Sequence, residues 1–288
     1  MRHAALLGRG LFATKPRALV GAVVYDPKVV TIWEIIRDFF SAQGYPMDCV
    51  FYSNYELMTD ALLAGHIQVA WNSPLAWVDV VRRTGGACRA IAMRDTDRDR
   101  KTHFIARRGG GMQHPEDLRG KTLATGARDS PQSHLLPLHT LQQKGLTAGK
   151  DFRVRRFDLL VGKHGDHVGG ELEALRSVQR GESDACAILD LNWARWQAEG
   201  VADATDLVSL GTTAPFDHCN FSVLDTFPAE EAKRWTKTLF SMTYDNPSHR
   251  EMMDLEGLKA WLPGRTTGYA ALTAAVEEQK FFEESPRR

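Results

Sequence analysis

The chain has 288 residues, with 36 Lys and Arg against 36 Asp and Glu, so its formal net charge is zero. With 43% hydrophobic and 25% charged residues it can bury a substantial core, which excludes general disorder. The missing basic excess argues against a nucleic-acid partner, no apolar run approaches the ~20 residues that cross a bilayer, and four cysteines without a CxxC pair exclude a disulfide scaffold, a zinc ribbon or a thioredoxin motif.

Residues 1–17, MRHAALLGRGLFATKPR, lack the unbroken apolar core of about 7–15 residues that an export signal needs. Arg9, Lys15 and Arg17 interrupt it. This predicts a cytoplasmic protein, with a periplasmic one as the alternative if the true start lies elsewhere.

From Ala18 onward strands and helices alternate. ALVGAVVY (18–25) reads as a buried strand that ends at Asp26-Pro27. Val29, Ile32, Trp33, Ile36, Phe39 and Phe40 recur at helical spacing, and Gly44 closes that helix. MDCVFY (47–52) is the next strand, 55–64 a helix, HIQVAW (66–71) a strand. Ser73-Pro74 places an N-cap before a proline at the first helical position, a strong start signal. CRAIAMR (88–94) is a fourth strand, and RDTDRDRK (94–101) reads as a solvated connection. A second series follows: strands at 103–107 and 121–127, a helix from Pro131 to Lys144, a strand at 152–158, a helix from Gly170 to Arg180, a strand at 184–190, a helix at 192–199 and a strand at 206–212. Beyond Pro228 the chain reads as mostly helical. Strand–helix alternation predicts mostly parallel sheets. The expected organisation is two α/β lobes, 18–98 plus 213–288 and 99–212, hinged near 95–102 and 212–217. Ligands of such sheets sit beyond the carboxyl ends of the strands, so the cleft between the lobes is the expected site.

Four segments carry a family resemblance. YELMTDALLAGHIQVAWNSPLAWV (55–78), HPEDLRGKTLATGARDSPQSHLLPLHTLQQKGL (114–146), ELEALRSVQRGESDACAILD (171–190) and PFDHCNFSVL (215–224) stand in order along 18–225. Together they resemble the phosphonate-type substrate-binding proteins of ABC transporters. The resemblance implies a type 2 periplasmic-binding-protein fold, with two lobes and a ligand cleft between them. It also implies a small oxyanion as ligand and an ABC permease as partner if the protein is exported. Some proteins on this wider fold are cytoplasmic enzymes.

The most suggestive local segment is TGARDSPQSH (125–134). The first N–H groups of a helix have no intrahelical partner and carry partial positive charge. With the Ser130 and Ser133 hydroxyls and nearby Arg128, they would cradle an anion; the plain alternative is an ordinary capped helix. His134 stands where the family has a small residue. By resemblance Tyr25, Asn72, Ser73 and Trp77 face the cleft, Trp77 replacing a common Tyr. The alternative for Trp77 is a place in the helix core. Asp190 ends a strand and could hold a substrate amine or start the next helix.

GKHGDHVGGE (162–171) places His164, Asp166, His167 and Glu171 within eight residues. Its glycines favour a loop running into a helix at 170. Two imidazoles and a carboxylate are ligand types for Zn, Fe or Mn, so His164, His167, Glu171 and His218 form a candidate set for a divalent transition metal. His134, His139 and Cys219 are possible additions. The alternative is a polar cleft rim. Two functions follow: binding of a small phosphonate- or phosphate-like anion, or a cytoplasmic metal-dependent enzyme on the same fold. A soluble ligand sensor is a third. No GxSxG, GxGxxG or GxxxxGK[ST] supports a hydrolase elbow or a nucleotide loop.

Overall fold

A computed structural model describes residues 17–203 and 205–284; the charge pattern at Arg9 and Lys15, on which the cytoplasmic expectation rests, lies outside the described residues. In chain order the elements are β1 (Ala18–Val23), α1 (Lys28–Ala42), β2 (Met47–Tyr52), α2 (Tyr55–Leu63), β3 (Val69–Asn72), α3 (Pro74–Thr84), β4 (Cys88–Arg94) and β5 (Thr102–Arg107). There follow β6 (Thr122–Thr125), a wide π turn at Pro131–Leu135 that leads into α4 (Leu136–Gln143), β7 (Arg153–Arg156), α5 (Gly169–Gln179), β8 (Ala185–Leu189) and α6 (Asp190–Ala198). The chain closes with β9 (Leu207–Thr212), β10 (Asn220–Leu224), α7 (Ala229–Phe240), α8 (Pro247–Glu256), β11 (Trp261–Pro263), α9 (Ala270–Glu278) and α10 (Phe281–Glu284).

Two sheets result, ordered β11-β4-β10-β3-β1-β2 and β7-β6-β8-β5-β9. Both are mixed, where the strand–helix rhythm predicted mostly parallel pairing. β10 returns from the second sheet and inserts antiparallel between β3 and β4. β5 runs antiparallel to both its neighbours. β11, within the stretch expected to be helical, adds a short antiparallel edge on β4.

Local chemistry explains the helix ends. Ser73 Oγ accepts from Ala76 N at 3.1 Å, Pro74 sits at the first helical position, and Gly85 turns left-handed (φ 61°) to stop α3. α1 buries Val29, Ile32, Trp33, Ile36 and Phe40 along one stripe. That stripe meets Phe221, Trp235 and Trp261 in an aromatic core, with Phe40 and Trp235 rings 5.2 Å apart. Ile105, Leu175, Val178 and Trp196 fill one side of the second sheet. Trp77, Leu135, Leu189, Phe216 and Tyr269 form one further cluster that draws on both sheets' neighbours.

The two crossovers lie side by side. Arg100 N donates to Phe216 O at 2.7 Å and Phe216 N returns the bond to Arg100 O at 2.8 Å. Arg265, from the C-terminal segment, grips Asp217 of one crossover and Asp99 of the other, the latter at 2.7 Å. The 94–101 stretch is therefore not a solvated link. Asp97 is 1% exposed and pairs with Arg94, because a connection pinned between sheet and C-terminal helices has to satisfy its charges internally. No helix among the described residues is long and apolar enough to cross a membrane.

Candidate functional site

The carboxyl ends of β1, β2, β3 and β4 deliver Tyr25, Tyr55, Ser73 and Arg94, and the entry to β10 brings His218 and Cys219 to the same edge. From the second sheet, β6 leads into Gly126–Ser133, β7 into the 157–168 loop, and β8 into Asp190.

On the first-lobe side the charges are closely coupled. Arg94 donates Nε and Nη2 to Asp97 at 2.7 Å each, and its Nη1 lies 3.4 Å from Glu256. His218 Nδ1 is 3.1 Å from Cys219 Sγ and 3.6 Å from Asp97, while its buried Nε2 has no partner. Burial pushes the Tyr25 hydroxyl well up, helped by the negative charge of Glu256 and Asp166. Burial likewise raises Tyr55, followed by the charge of Asp166. Both phenols stay protonated and can donate. Burial also raises the Cys219 thiol, with Asp166 and Asp97 adding to it, so it is no thiolate nucleophile.

The 157–168 loop crosses from the second lobe and contacts the first. Tyr55 N donates to Gly162 O at 3.1 Å. The Lys163 ammonium donates to the carbonyls of Val24 and Ser53. His164 Nδ1 lies 2.6 Å from Ser73 Oγ, and its ring stacks on Tyr55 with centroids 4.7 Å apart. The Tyr55 hydroxyl donates to Asp166. On its own lobe the loop rests on Asp129, whose Oδ2 accepts from Gly162 N at 2.5 Å and His164 N at 3.3 Å, and on Gln132, which donates to Gly165 O at 3.0 Å. Gly165 approaches Ser130 and Gln132 so closely that a Cβ would lie 2.6 Å from Gln132 Nε2, and its φ is +80°.

The predicted anion cradle is only partly assembled. Ser130 Oγ caps the helix by accepting from Ser133 N at 3.1 Å, which is the plain capping alternative. The Ser133 hydroxyl accepts from Gly126 N and donates to Ala187 O, both at 2.8 Å, so it ties β6 to β8 and has no proton left for a ligand. Arg128 is exposed, and its backbone N–H donates to Asp158 at 2.8 Å. His134 is buried with Nδ1 3.0 Å from Thr125 Oγ1, and burial, followed by the charge of Arg156, holds it down to about 4, so it is neutral. Asp129, passed over in the sequence, instead puts a carboxylate at this turn, with Oδ1 unpartnered.

Trp77 packs in the core against Tyr269, centroids 5.9 Å apart, and does not face the cleft. Asn72 is buried, donates to Ser222 and leaves Oδ1 without a partner. Asp190 opens α6 and lies 3.6 Å from Arg100 at the crossover.

The candidate metal set is not brought together. No three of His164, His167, Glu171 and His218 place ligand atoms within 4.8 Å of one another, and the one such group among the described residues is Asp97, His218 and Cys219. The reason is local. His164 is turned to Ser73, His167 accepts from Gly169 N at 3.3 Å, and Glu171 Oε1 accepts from Leu189 N at 2.6 Å and Asn192 Nδ2 at 3.1 Å. His139 pairs with Glu278 of α9. In the Asp97 group both carboxylate oxygens already face Arg94. The metal-dependent enzyme thus loses the cluster that suggested it.

Sequence reasoning missed Tyr55, Asp129, Lys163 and the Arg94–Asp97 pair. Asn54-Tyr55 directly after a strand end was the available signal for Tyr55. Lys163 and Asp129 act through a loop whose path no local pattern encodes.

Residues 23–269 match the profile of a family described as ABC transporter, phosphonate, periplasmic substrate-binding protein. Among solved structures, PhnD1 from Prochlorococcus marinus in complex with methylphosphonate superposes with a TM-score of 0.69 at 17% identity, covering 91% of this chain and 98% of that one. A protein from Xanthomonas citri bound to ATP gives 0.71 at 17% identity, over 92% and 98%. The periplasmic aliphatic sulphonate binding protein SsuA from Escherichia coli gives 0.60 at 14%, over 94% and 88%. At these identities the likeness is one of fold, and it is the two-lobe, type 2 periplasmic-binding-protein fold expected from the sequence. An uncharacterized protein of Haemophilus influenzae is 62% identical over 34 residues, 12% of this chain; the match spans about half, 48%, of that protein's length.

Proposed function

The chain belongs to the family of ABC-transporter phosphonate periplasmic substrate-binding proteins, and on that premise we propose that it binds a small phosphonate- or phosphate-like anion in the cleft between its lobes and passes it to a membrane permease. Membership in a periplasmic family favours the periplasmic alternative over the cytoplasmic expectation drawn from residues 1–17. The observation that carries the ligand chemistry is the donor set on the first-lobe edge. Tyr25 and Tyr55 keep their protons, and buried His218 Nε2 lacks a partner. Leaving such a nitrogen unmet costs about 1–3 kcal/mol, and an oxyanion arriving there would supply the acceptor. Ser130, whose oxygen caps the helix, retains a hydroxyl proton that can add a donor from the opposite lobe.

Calorimetric titration with methylphosphonate and with inorganic phosphate tests this reading. Binding should be saturable, and Tyr25→Phe with His218→Gln should weaken it by at least about tenfold, the loss of one charge-assisted hydrogen bond. Equal affinity in the double variant would put the anion elsewhere, and no binding of either oxyanion would overturn the ligand class.

A further inference from the structure

The loop at 159–168 contacts both rims of the cleft with its own charged side chains. Lys163 binds two main-chain carbonyls at the ends of β1 and β2, a seat for a cation on the first lobe. Asp166 brings a carboxylate to the Tyr55 hydroxyl. Burial raises this carboxyl, while the charge of His218 and then the Tyr55 hydroxyl, Arg94 and His164 draw it the other way; Tyr25 and Cys219 feel its charge in return. Asp166 therefore sits among the donors that the oxyanion reading assigns to a ligand.

We propose that this loop is a tethered occupant of the cleft: Asp166 takes the oxyanion seat on Tyr55, Lys163 and His164 latch the lobes shut without ligand, and an incoming anion has to displace the loop. The seat's identity rests on the oxyanion reading; the latch does not. Three further features fit an occupant that can leave. Leu159, Leu160 and Val161 are exposed at 44%, 51% and 43%, so the tip is not anchored by apolar burial. The polar contacts on the first lobe come from Gly162, Lys163, His164 and Asp166, within five residues. Leu160 and His164 take positive φ, 52° and 50°, a conformation that side chains rarely adopt and that surrounding contacts must hold.

The test uses the full chain and the variants Lys163→Ala/Asp166→Ala and Asp166→Asn. Solution scattering of ligand-free wild type should give a radius of gyration near the ~19 Å of a compact chain of this length, and the double variant should be measurably larger. Methylphosphonate should bind the double variant at least about tenfold more tightly than wild type, since nothing then competes for the seat. Asp166→Asn keeps the side chain's shape and removes its charge, so it reads the same gain in affinity if the double variant does not fold. A ligand-free double variant as compact as wild type overturns the latch. Affinity that is unchanged or weaker in Asp166→Asn overturns the tethered occupant. If the double variant opens but neither it nor wild type binds methylphosphonate or phosphate, the latch stands and the oxyanion reading falls.

Discussion

Replacing Asp97 by Asn probes how far the first crossover depends on one buried charge pair. The carboxylate is 1% exposed and accepts from Arg94 Nε and Nη2 at 2.7 Å, from Arg94 N at 3.1 Å and from Cys219 N at 3.2 Å. Burial alone would raise this carboxyl, but the charge and hydrogen bonds of Arg94, with His218 behind them, hold it at about 2, below its ordinary 3.8. A carboxyl held that low contributes about 2–3 kcal/mol to folding at neutral pH. Its native value is depressed, so the contribution is complete above pH ~4 and disappears as the pH falls through ~2. The amide keeps the outline but turns an NH2 group onto guanidinium donors and leaves Arg94 with Glu256 alone. Removing one partner of a buried pair costs about 3–5 kcal/mol. Urea unfolding at pH 7 should therefore show Asp97→Asn destabilised by about 3–5 kcal/mol, and the gap to wild type should narrow between pH 4 and pH 2. A loss under about 1 kcal/mol, or a gap that does not change with pH, would refute the reasoning by showing that the pair behaves as an exposed one.

Burial pushes the Glu171 carboxyl up to about 7 from an ordinary 4.5, against the hydrogen bonds from Asn192 and Leu189. The native form thus holds the proton longer than the unfolded chain, and stability should fall by about 3 kcal/mol as the pH rises from ~4.5 through ~7. Thermal melts of Glu171→Gln from pH 5 to 8 should show a flatter profile and a higher midpoint than wild type at pH 8. Ser133→Ala should destabilise the ligand-free protein by about 2–3 kcal/mol, because it strips buried Gly126 N and Ala187 O of their partner at once. Denaturant unfolding without ligand measures this, and an unchanged midpoint would return Ser133 to the candidate anion donors.

Much of the fold was legible because its signals are local. The stripe of α1, the Ser73-Pro74 start of α3 and the glycine stops each depend on a few neighbouring residues. Strand direction was not legible in the same way, since whether β10 pairs parallel or antiparallel depends on where a strand returns from the other lobe. The candidate site divides along the same line. Ser130 takes the capping role that stood as the plain alternative to an anion cradle, and the 162–169 stretch is a loop leading into a helix, as expected. Ser133 was misassigned because its hydroxyl meets Ala187, 54 residues away. The charged run at 94–101 looked solvated because Arg265 and Glu256, which help to neutralise it, come from the far end of the chain.

That far end bears on how the molecule can move. Two strands of chain joining two bodies form a strap hinge, free to twist as well as to fold. Here α9 packs against α3 on one side and α4 on the other, Gln279 donates to Leu135 O at 2.9 Å, and Arg265 rivets Asp99 to Asp217. The C-terminal segment thus ties the two crossovers to each other and touches helices on both sides of them. A tie of that kind resists relative twist of the bodies it joins more than a bare strap hinge does, which would keep the two rims of the cleft in one register.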